Sequence, residues 1–151
     1  YAARSGTSTV QISLNDCFEV PVVHEIAPVY SFFGWLLRGF SQGVVHLNTS
    51  DGSTPSQGPY QCGGRGPQEA IAFTLLFPSR VRFYTQGRYD TVLHLRRALS
   101  CSDMNDIVCD DDAGSGLNSD LRAHLSPGTY YLIVDGYRGQ SGDVSVFFEI
   151  N

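Results

Sequence analysis

Alternation of apolar and polar residues along several short segments is the feature that most constrains the fold of this chain. Apolar side chains recur at every second position in segments 10–14, 71–77 and 144–150, as in strands with one face buried. Strand-like runs bounded by Pro, Gly, Asn or Asp also cover 80–85, 91–96, 119–125 and 129–135. The pattern predicts an all-β fold, a single antiparallel β-sandwich of jelly-roll type with seven to nine strands.

The segments between these strands are irregular. Residues 48–66 form one long connection rich in Gly, Pro and Ser, and loops of this length are usually functional or tied down. No repeat or boundary divides the chain, so we expect residues 1–14 to form an N-terminal arm or first strand and residues 15–151 to form one sandwich domain. The start at Tyr1 suggests a processed protein or an excised domain.

Composition excludes several classes of function. The net charge is -5, and the ten basic residues are all Arg and are scattered, so no basic stripe is available to follow a nucleic acid. No apolar run approaches the roughly 18 residues that a membrane-spanning helix needs. The sequence therefore predicts neither a nucleic-acid partner nor a membrane span.

Four cysteines lie at positions 17, 62, 101 and 109, without the spacing of zinc ribbons or redox pairs. Disulfides are the better interpretation, and they imply an oxidising compartment. Of the three possible connectivities we expect Cys17 with Cys62 and Cys101 with Cys109, because the short segment 101–109 can close as a hairpin-like loop.

Three consecutive carboxylates follow the last cysteine, at Asp110, Asp111 and Asp112. Like charges at this spacing repel one another unless a cation or several donors offset them, and Ca²⁺ favours clustered carboxylates on turn-rich loops. Asp90, at the border of an apolar strand, is a candidate fourth ligand. The alternative is a solvated acidic turn in which the carboxylates accept hydrogen bonds from nearby amides.

Catalytic signatures are absent from the sequence. The four His, at positions 24, 46, 94 and 124, are scattered over predicted strands, and the segment 139–143 lacks one Gly of the nucleophile elbow. A hydrolase is the least favoured function, and we expect a protein that is not an enzyme.

An aromatic stretch is the second candidate site. Tyr30, Phe32, Phe33 and Trp35 lie in an apolar segment, 29–40, that is typical of a strand covered on both sides or of a surface that meets a partner. If exposed, these side chains would suit a protein or carbohydrate surface, or another copy of the chain.

Several motifs together resemble the bacterial pre-peptidase C-terminal domain, in its cysteine-containing extracellular form. The resemblance covers residues 15–150 and is more specific in the second half. The motifs are Asn15-Asp16-Cys17, Cys62-Gly63-Gly64, Tyr89-Asp90-Thr91-Val92-Leu93, Cys109-Asp110-Asp111-Asp112, Pro127-Gly128-Thr129-Tyr130-Tyr131, Val134-Asp135-Gly136-Tyr137 and Ser141-Gly142-Asp143.

The resemblance implies a secreted β-sandwich without catalytic residues, at the cell surface or attached to a secreted enzyme, that binds a substrate or mediates adhesion. Related modules bind calcium, which implies ligand roles for Asp16, Asp90 and Asp110 to Asp112. A second interpretation is a structural subunit of an extracellular filament or surface assembly. In that case the alternating strand 7–14 would add to the sheet edge of a neighbouring copy.

Overall fold

The computed structural model describes residues 4–8, 23–27, 30–33, 36–39, 41–52, 54, 61–97 and 107–151, with backbone alone for 4–8, 23, 27, 30–33, 36–39 and 61. The strands are β1 (Arg4–Ser8), β2 (Val23–Ala27), β3 (Tyr30–Phe33), β4 (Leu36–Gly39), β5 (Ser41–Asn48), β6 (Glu69–Leu75), β7 (Ser79–Gly87), β8 (Thr91–Arg97), β9 (Val108–Asp110), β10 (Asp120–Leu125), β11 (Gly128–Gly136) and β12 (Asp143–Ile150). Two 3₁₀ turns, Thr49–Asp51 and Gln61–Gly63, are the helical elements of the described residues.

Two sheets form the sandwich. One has six strands in the order β1-β2-β6-β11-β8-β9, the other has four in the order β10-β7-β12-β5, and β3 pairs with β4 in a separate hairpin. The pairs are antiparallel except β2 with β6, which is parallel. The predicted all-β sandwich is confirmed. Three strands that the sequence did not reveal, β2, β5 and β9, bring its two sheets to ten strands among the described residues, above the predicted seven to nine.

The core lies between the two sheets and consists of the inward rows of their strands. Phe73 of β6 contacts Phe83 of β7 across the interface, with ring centroids 5.2 Å apart, and packs against Tyr130 of β11 at 5.7 Å. All three side chains are almost fully buried. Burial of this apolar surface is the main force that holds the sheets together.

The six-stranded sheet is also buried on its outer face. Val92 and His94 of β8 and Ile133 and Asp135 of β11 point away from the core, yet each is at most 1% exposed. Strands buried on both faces explain the continuous apolar run of β11. They also place a histidine and a carboxylate where water does not reach.

The disulfide pairing that we expected is wrong. Cys62 bonds to Cys109, with Cα atoms 6.2 Å apart, which excludes both Cys17–Cys62 and Cys101–Cys109. Pairing of β9 with β8 places Cys109 opposite His94. Loop length alone does not predict such a contact between segments that are distant in the sequence. Cys17 and Cys101 themselves lie outside the described residues.

The N-terminal and aromatic segments are described in part. Arg4–Ser8 pairs with Val23–Ala27 at the edge of the six-stranded sheet, whereas residues 9–14 lie outside the described residues. The stretch 29–40 contains the hairpin β3-β4, which agrees with its interpretation as strand. Of the residues described, no helix is both long and apolar enough to span a bilayer.

Candidate metal site

Three of the five predicted metal ligands lie together at one end of the sandwich. Asp90 follows β7, and Asp111 and Asp112 follow β9. One oxygen from each carboxylate lies within 4.8 Å of the others. Asp16, the ligand implied by the family resemblance, lies outside the described residues.

Two of these carboxylates have buried oxygen atoms without a hydrogen-bond donor. They are Oδ1 of Asp90 and Oδ1 of Asp111, and Asp90 as a whole is only 8% exposed. A buried polar atom without a partner costs about 1–3 kcal/mol, and more when it carries charge. The site therefore stores unfavourable free energy that a bound cation would relieve.

Burial is the largest influence on the pKa of the site. It raises the pKa of Asp111 to about 6, together with the close approach of the Asp90 carboxyl group and the like charges of Asp90, Asp112 and Asp110. No Arg or His of the described residues forms an ion pair with Asp90, Asp111 or Asp112.

The nearby carboxylate of Asp120 shows the opposite situation. Arg82 donates two hydrogen bonds to it, at 3.0 and 2.7 Å, and Arg122 contributes a third cationic contact at 3.3 Å. These guanidinium groups hold the pKa of Asp120 below its usual range. Within the described residues, Asp120 thus has two arginine partners, and the three-carboxylate cluster has none.

Asp110 has a different role from its two neighbours. Its Oδ2 accepts hydrogen bonds from the backbone amides of Ala113, at 3.1 Å, and Asp120, at 2.8 Å. This is the geometry of a carboxylate that caps a turn. Asp110 therefore closes the loop, while Asp111 and Asp112 approach Asp90.

Backbone hydrogen bonds fix Asp90 from both sides. Its amide donates to Oε1 of Gln140 at 3.0 Å, and its carbonyl accepts from the amide of Tyr137 at 2.9 Å. The preceding residue, Tyr89, is buried and receives a hydrogen bond from the Thr49 hydroxyl at 3.0 Å. Asp90 is therefore held in place, through its backbone, by the segment between β11 and β12.

The acidic loop is held by a buried serine. The Ser119 hydroxyl lies within hydrogen-bond distance of the carbonyls of Asp111, at 2.8 Å, and Thr91, at 2.7 Å, and its amide donates to Oγ1 of Thr85. A Cβ at Gly114 would lie 2.6 Å from the carbonyl oxygen of Asn118, so the loop requires glycine there. The carboxylates are thus positioned by hydrogen bonds of the protein itself.

A second polar cluster, which sequence reasoning did not find, lies on the buried outer face of the six-stranded sheet. Asp135 accepts hydrogen bonds from the amides of Gly66 and Gly136, at 2.8 and 2.7 Å, and from Nε2 of Gln68 at 2.8 Å. Nε2 of His94 lies 3.2 Å from the same carboxylate. Asp135 is the penultimate residue of β11, and the sequence did not indicate its partnership with His94.

The signal for this cluster was the glycine-rich run 63–66. A Cβ at Gly64 would collide with the Asp135 carboxylate and lie 2.6 Å from Nε2 of His94. Only glycine allows the backbone to approach Asp135 and His94 this closely. A third pair, His24 and Glu69 at 3.1 Å, is likewise buried.

The predicted aromatic site lies almost entirely outside the described side chains. Tyr30, Phe32 and Phe33 belong to β3, whose backbone alone is described, and Trp35 lies outside the described residues. The partner-binding role of these four residues remains a prediction.

Comparison with known proteins identifies the fold. Neither a protein-family model nor a curated protein matches the sequence. A solved structure that matches is PliG of Aeromonas hydrophila, a periplasmic inhibitor of g-type lysozyme, with 12% identity, a TM-score of 0.50, and coverage of 85% of this chain and 97% of that one. Another is the pre-peptidase C-terminal domain of a collagenase from Bacillus anthracis, with 14% identity, a TM-score of 0.48, and coverage of 71% and 88%. The family that the sequence resembles is thus among the structures that match.

Proposed function

We propose that this chain is a secreted, non-catalytic binding module for a protein or carbohydrate surface, at the cell surface or on a substrate, and that one calcium ion holds its loop end together. The observation that carries the calcium proposal is the convergence of Asp90, Asp111 and Asp112 around two buried oxygens that lack donors. Hydrogen bonds of the protein itself hold Asp90 and Asp111, so little conformational entropy is lost on binding.

The chemistry of the donors fits calcium. Ca²⁺ takes six to eight oxygen ligands in flexible geometry, whereas Mg²⁺ requires a tight octahedron and dehydrates reluctantly. Three carboxylates supply a minority of those ligands, and water and backbone carbonyls would complete the shell. A bound ion would offset both the burial and the like charge that raise the pKa of Asp111, and it would crosslink the loop after β7 to the loop after β9.

Burial supports a non-catalytic role. The His94–Asp135 pair has the composition of a general base and its orienting carboxylate, but the two side chains are 1% and 0% exposed. A substrate does not reach them without unfolding of the segment 61–68. We therefore assign this pair to the stability of the fold.

The disulfide and the structural comparison support the proposed compartment and the proposed class of partner. A disulfide between Cys62 and Cys109 is typical of secreted or periplasmic proteins. The Aeromonas structure is described as an inhibitor of an enzyme, so a sandwich of this shape is compatible with action by binding another protein. Tyr30, Phe32, Phe33 and Trp35 remain our candidates for the contact surface.

Thermal unfolding in calcium tests the metal proposal. A ligand present at about 100 times its dissociation constant stabilises the folded state by about 2.7 kcal/mol, which for a chain of this size corresponds to an increase in Tm of about 5–10 °C. Calcium should produce this shift and magnesium a much smaller one. The shift should disappear when a chelator is added.

Two variants with the same change in charge distinguish a carboxylate that binds the ion from one that stabilises the turn. Asp111→Asn should raise the Tm of the metal-free protein, because it removes repulsion, and should abolish the calcium shift. Asp110→Asn should keep most of the shift, because Asp110 bonds backbone amides and lies outside the cluster. Equal loss of the shift in both variants would mean that the effect of calcium on Tm depends on the total negative charge of the loop. The assigned ligands would then be wrong.

A further inference from the structure

The outer face of the four-stranded sheet meets solvent. The outward side chains of β5, β7, β10 and β12 are all exposed or half-buried, whereas most of the inward ones are buried in the core. Strand pairing places the outward side chains in rows that run across the strands. This face therefore differs from the outer face of the six-stranded sheet, where His94 and Asp135 are at most 1% exposed.

An aromatic pair lies at the centre of one row. Tyr84 of β7 pairs with Phe147 of β12, and the two rings stack with centroids 5.0 Å apart and planes inclined by 10°. Both side chains are half-buried. Val44 of β5 lies opposite Phe147 and is also half-buried. The row thus presents a strip of apolar surface across three neighbouring strands.

An ion-pair network fixes the aromatic pair along one side of the strip. The guanidinium carbon of Arg82 lies 4.3 Å from the centroid of the Tyr84 ring. The same guanidinium contacts Asp120 at 2.7 Å and Glu149 at 3.1 Å. Because the two carboxylates hold Arg82 over the ring, the aromatic pair would lose little conformational entropy on binding a ligand.

Hydrogen-bonding side chains form the row along the other side of the strip. His46, Ser145 and Gln86 lie opposite one another on β5, β12 and β7, about 7 Å along the strands from the aromatic pair. Nδ1 of His46 lies 2.7 Å from the Ser145 hydroxyl. The three side chains line an open groove of about 480 Å³, a volume in the range of ligand sites. Each of them can both donate and accept hydrogen bonds, as a ligand rich in hydroxyl groups requires.

Charge and backbone pairing restrict the kind of ligand. The groove is also lined by one exposed cation, Arg88, and one exposed anion, Asp143, so its charges balance, and the chain as a whole carries a net charge of -5. A polyanion would therefore be repelled, whereas a neutral ligand would not. Strands β7 and β12 each lie between two other strands, so this part of the face offers side chains and no backbone edge to which a peptide could add.

We propose that this face binds a flat, extended, neutral glycan chain. Such a chain has C–H groups on its faces and hydroxyl groups along its edges. The C–H groups would contact Tyr84 and Phe147, while the hydroxyl groups would bond His46, Ser145 and Gln86. The inference rests on the proposed role as a binding module, and it adds a class of ligand and a surface separate from the metal site and from the segment 29–40.

Calorimetric titration with cellohexaose and with the hexamer of N-acetylglucosamine tests the proposal. The parent protein should bind at least one of them, and a tenfold increase in salt should change the Kd by less than about twofold, because a neutral ligand has no charge to screen. The double variant His46→Ala with Gln86→Ala should weaken binding by more than about tenfold, because two hydrogen-bonding side chains are lost. Both positions are exposed, so its Tm should stay close to that of the parent. The control His124→Ala removes an exposed histidine of β10, outside the two rows, and should bind like the parent.

Three results would overturn the proposal. The first is a folded parent protein that binds neither hexasaccharide at millimolar concentration. The second is binding that survives in the double variant, which would place the glycan on another surface. The third is salt-sensitive binding of polyglutamate that the double variant abolishes, which would assign the face to an acidic protein segment. The calcium shift in Tm, measured on the same samples, tests the metal proposal separately, because the metal ligands lie on other residues.

Discussion

Replacement of Asp135 by alanine should lower the free energy of unfolding by about 4 kcal/mol, the range reached when a buried polar network is broken. The carboxylate is fully buried and is the acceptor for the amides of Gly66 and Gly136 and for the side chain of Gln68. Without it, these three donors would lose their acceptor, and His94 would lose its contact with the carboxylate, in a site that water does not reach. Each buried group left unpaired costs about 1–3 kcal/mol.

Chemical denaturation of Asp135→Ala and Asp143→Ala measures this effect against a matched control. Asp143 is exposed and accepts a single side-chain hydrogen bond, from Asn48, so its replacement should change stability by about 0.5 kcal/mol or less. A loss below about 1 kcal/mol for Asp135→Ala would show that segment 61–68 relaxes or admits water, and the assigned role of the network would be wrong.

Removal of the Cys62–Cys109 disulfide is expected to have the second large effect. The bond closes a loop with a sequence separation of 47 residues, for which the loss of chain entropy in the unfolded state predicts a stabilisation of about 4 kcal/mol. Cys62→Ser with Cys109→Ser should therefore unfold at clearly lower denaturant concentration than the parent protein.

Peptide mapping of the parent under non-reducing conditions is the control for this experiment and should recover Cys62 linked to Cys109. The double serine variant should also weaken the effect of Asp135→Ala, because the disulfide and Asp135 hold the same segment, and neighbouring contacts are not additive. Recovery of a peptide that links Cys101 to Cys109 would contradict the structure at this point.

Strands with clean alternation were predictable, and strands that depend on partners were not. The rows of β6, β7, β8, β10, β11 and β12 are visible in the sequence because their own side chains form the core. β5 was missed because its inward row contains Gly43, where a Cβ would lie 2.8 Å from the Phe148 ring. Phe148 fills that position from the neighbouring strand, so the inward row of β5 has only Val45 and Leu47 as apolar side chains, too few for a clear alternating pattern.

The sequence predicted which carboxylates belong to the candidate cation site, but it did not predict what each of them does. Consecutive carboxylates with Asp90 at a strand end predicted a cation site, and three of them converge. The sequence did not separate Asp110 from Asp111, because that difference depends on the amides of Ala113 and Asp120. The disulfide was mispredicted for a related reason, since its geometry depends on the pairing of β8 with β9.

Direct measurement of bound calcium tests the central claim. Equilibrium dialysis followed by elemental analysis should find one calcium ion per folded chain, and Asp90→Asn should lose most of it, because Asp90 is the most buried residue of the cluster. The variant should remain folded, since the hydrogen bonds that fix Asp90 involve its backbone. A folded parent protein that retains no calcium above the level of the dialysis buffer would contradict the account and leave the acidic loop as a solvated turn.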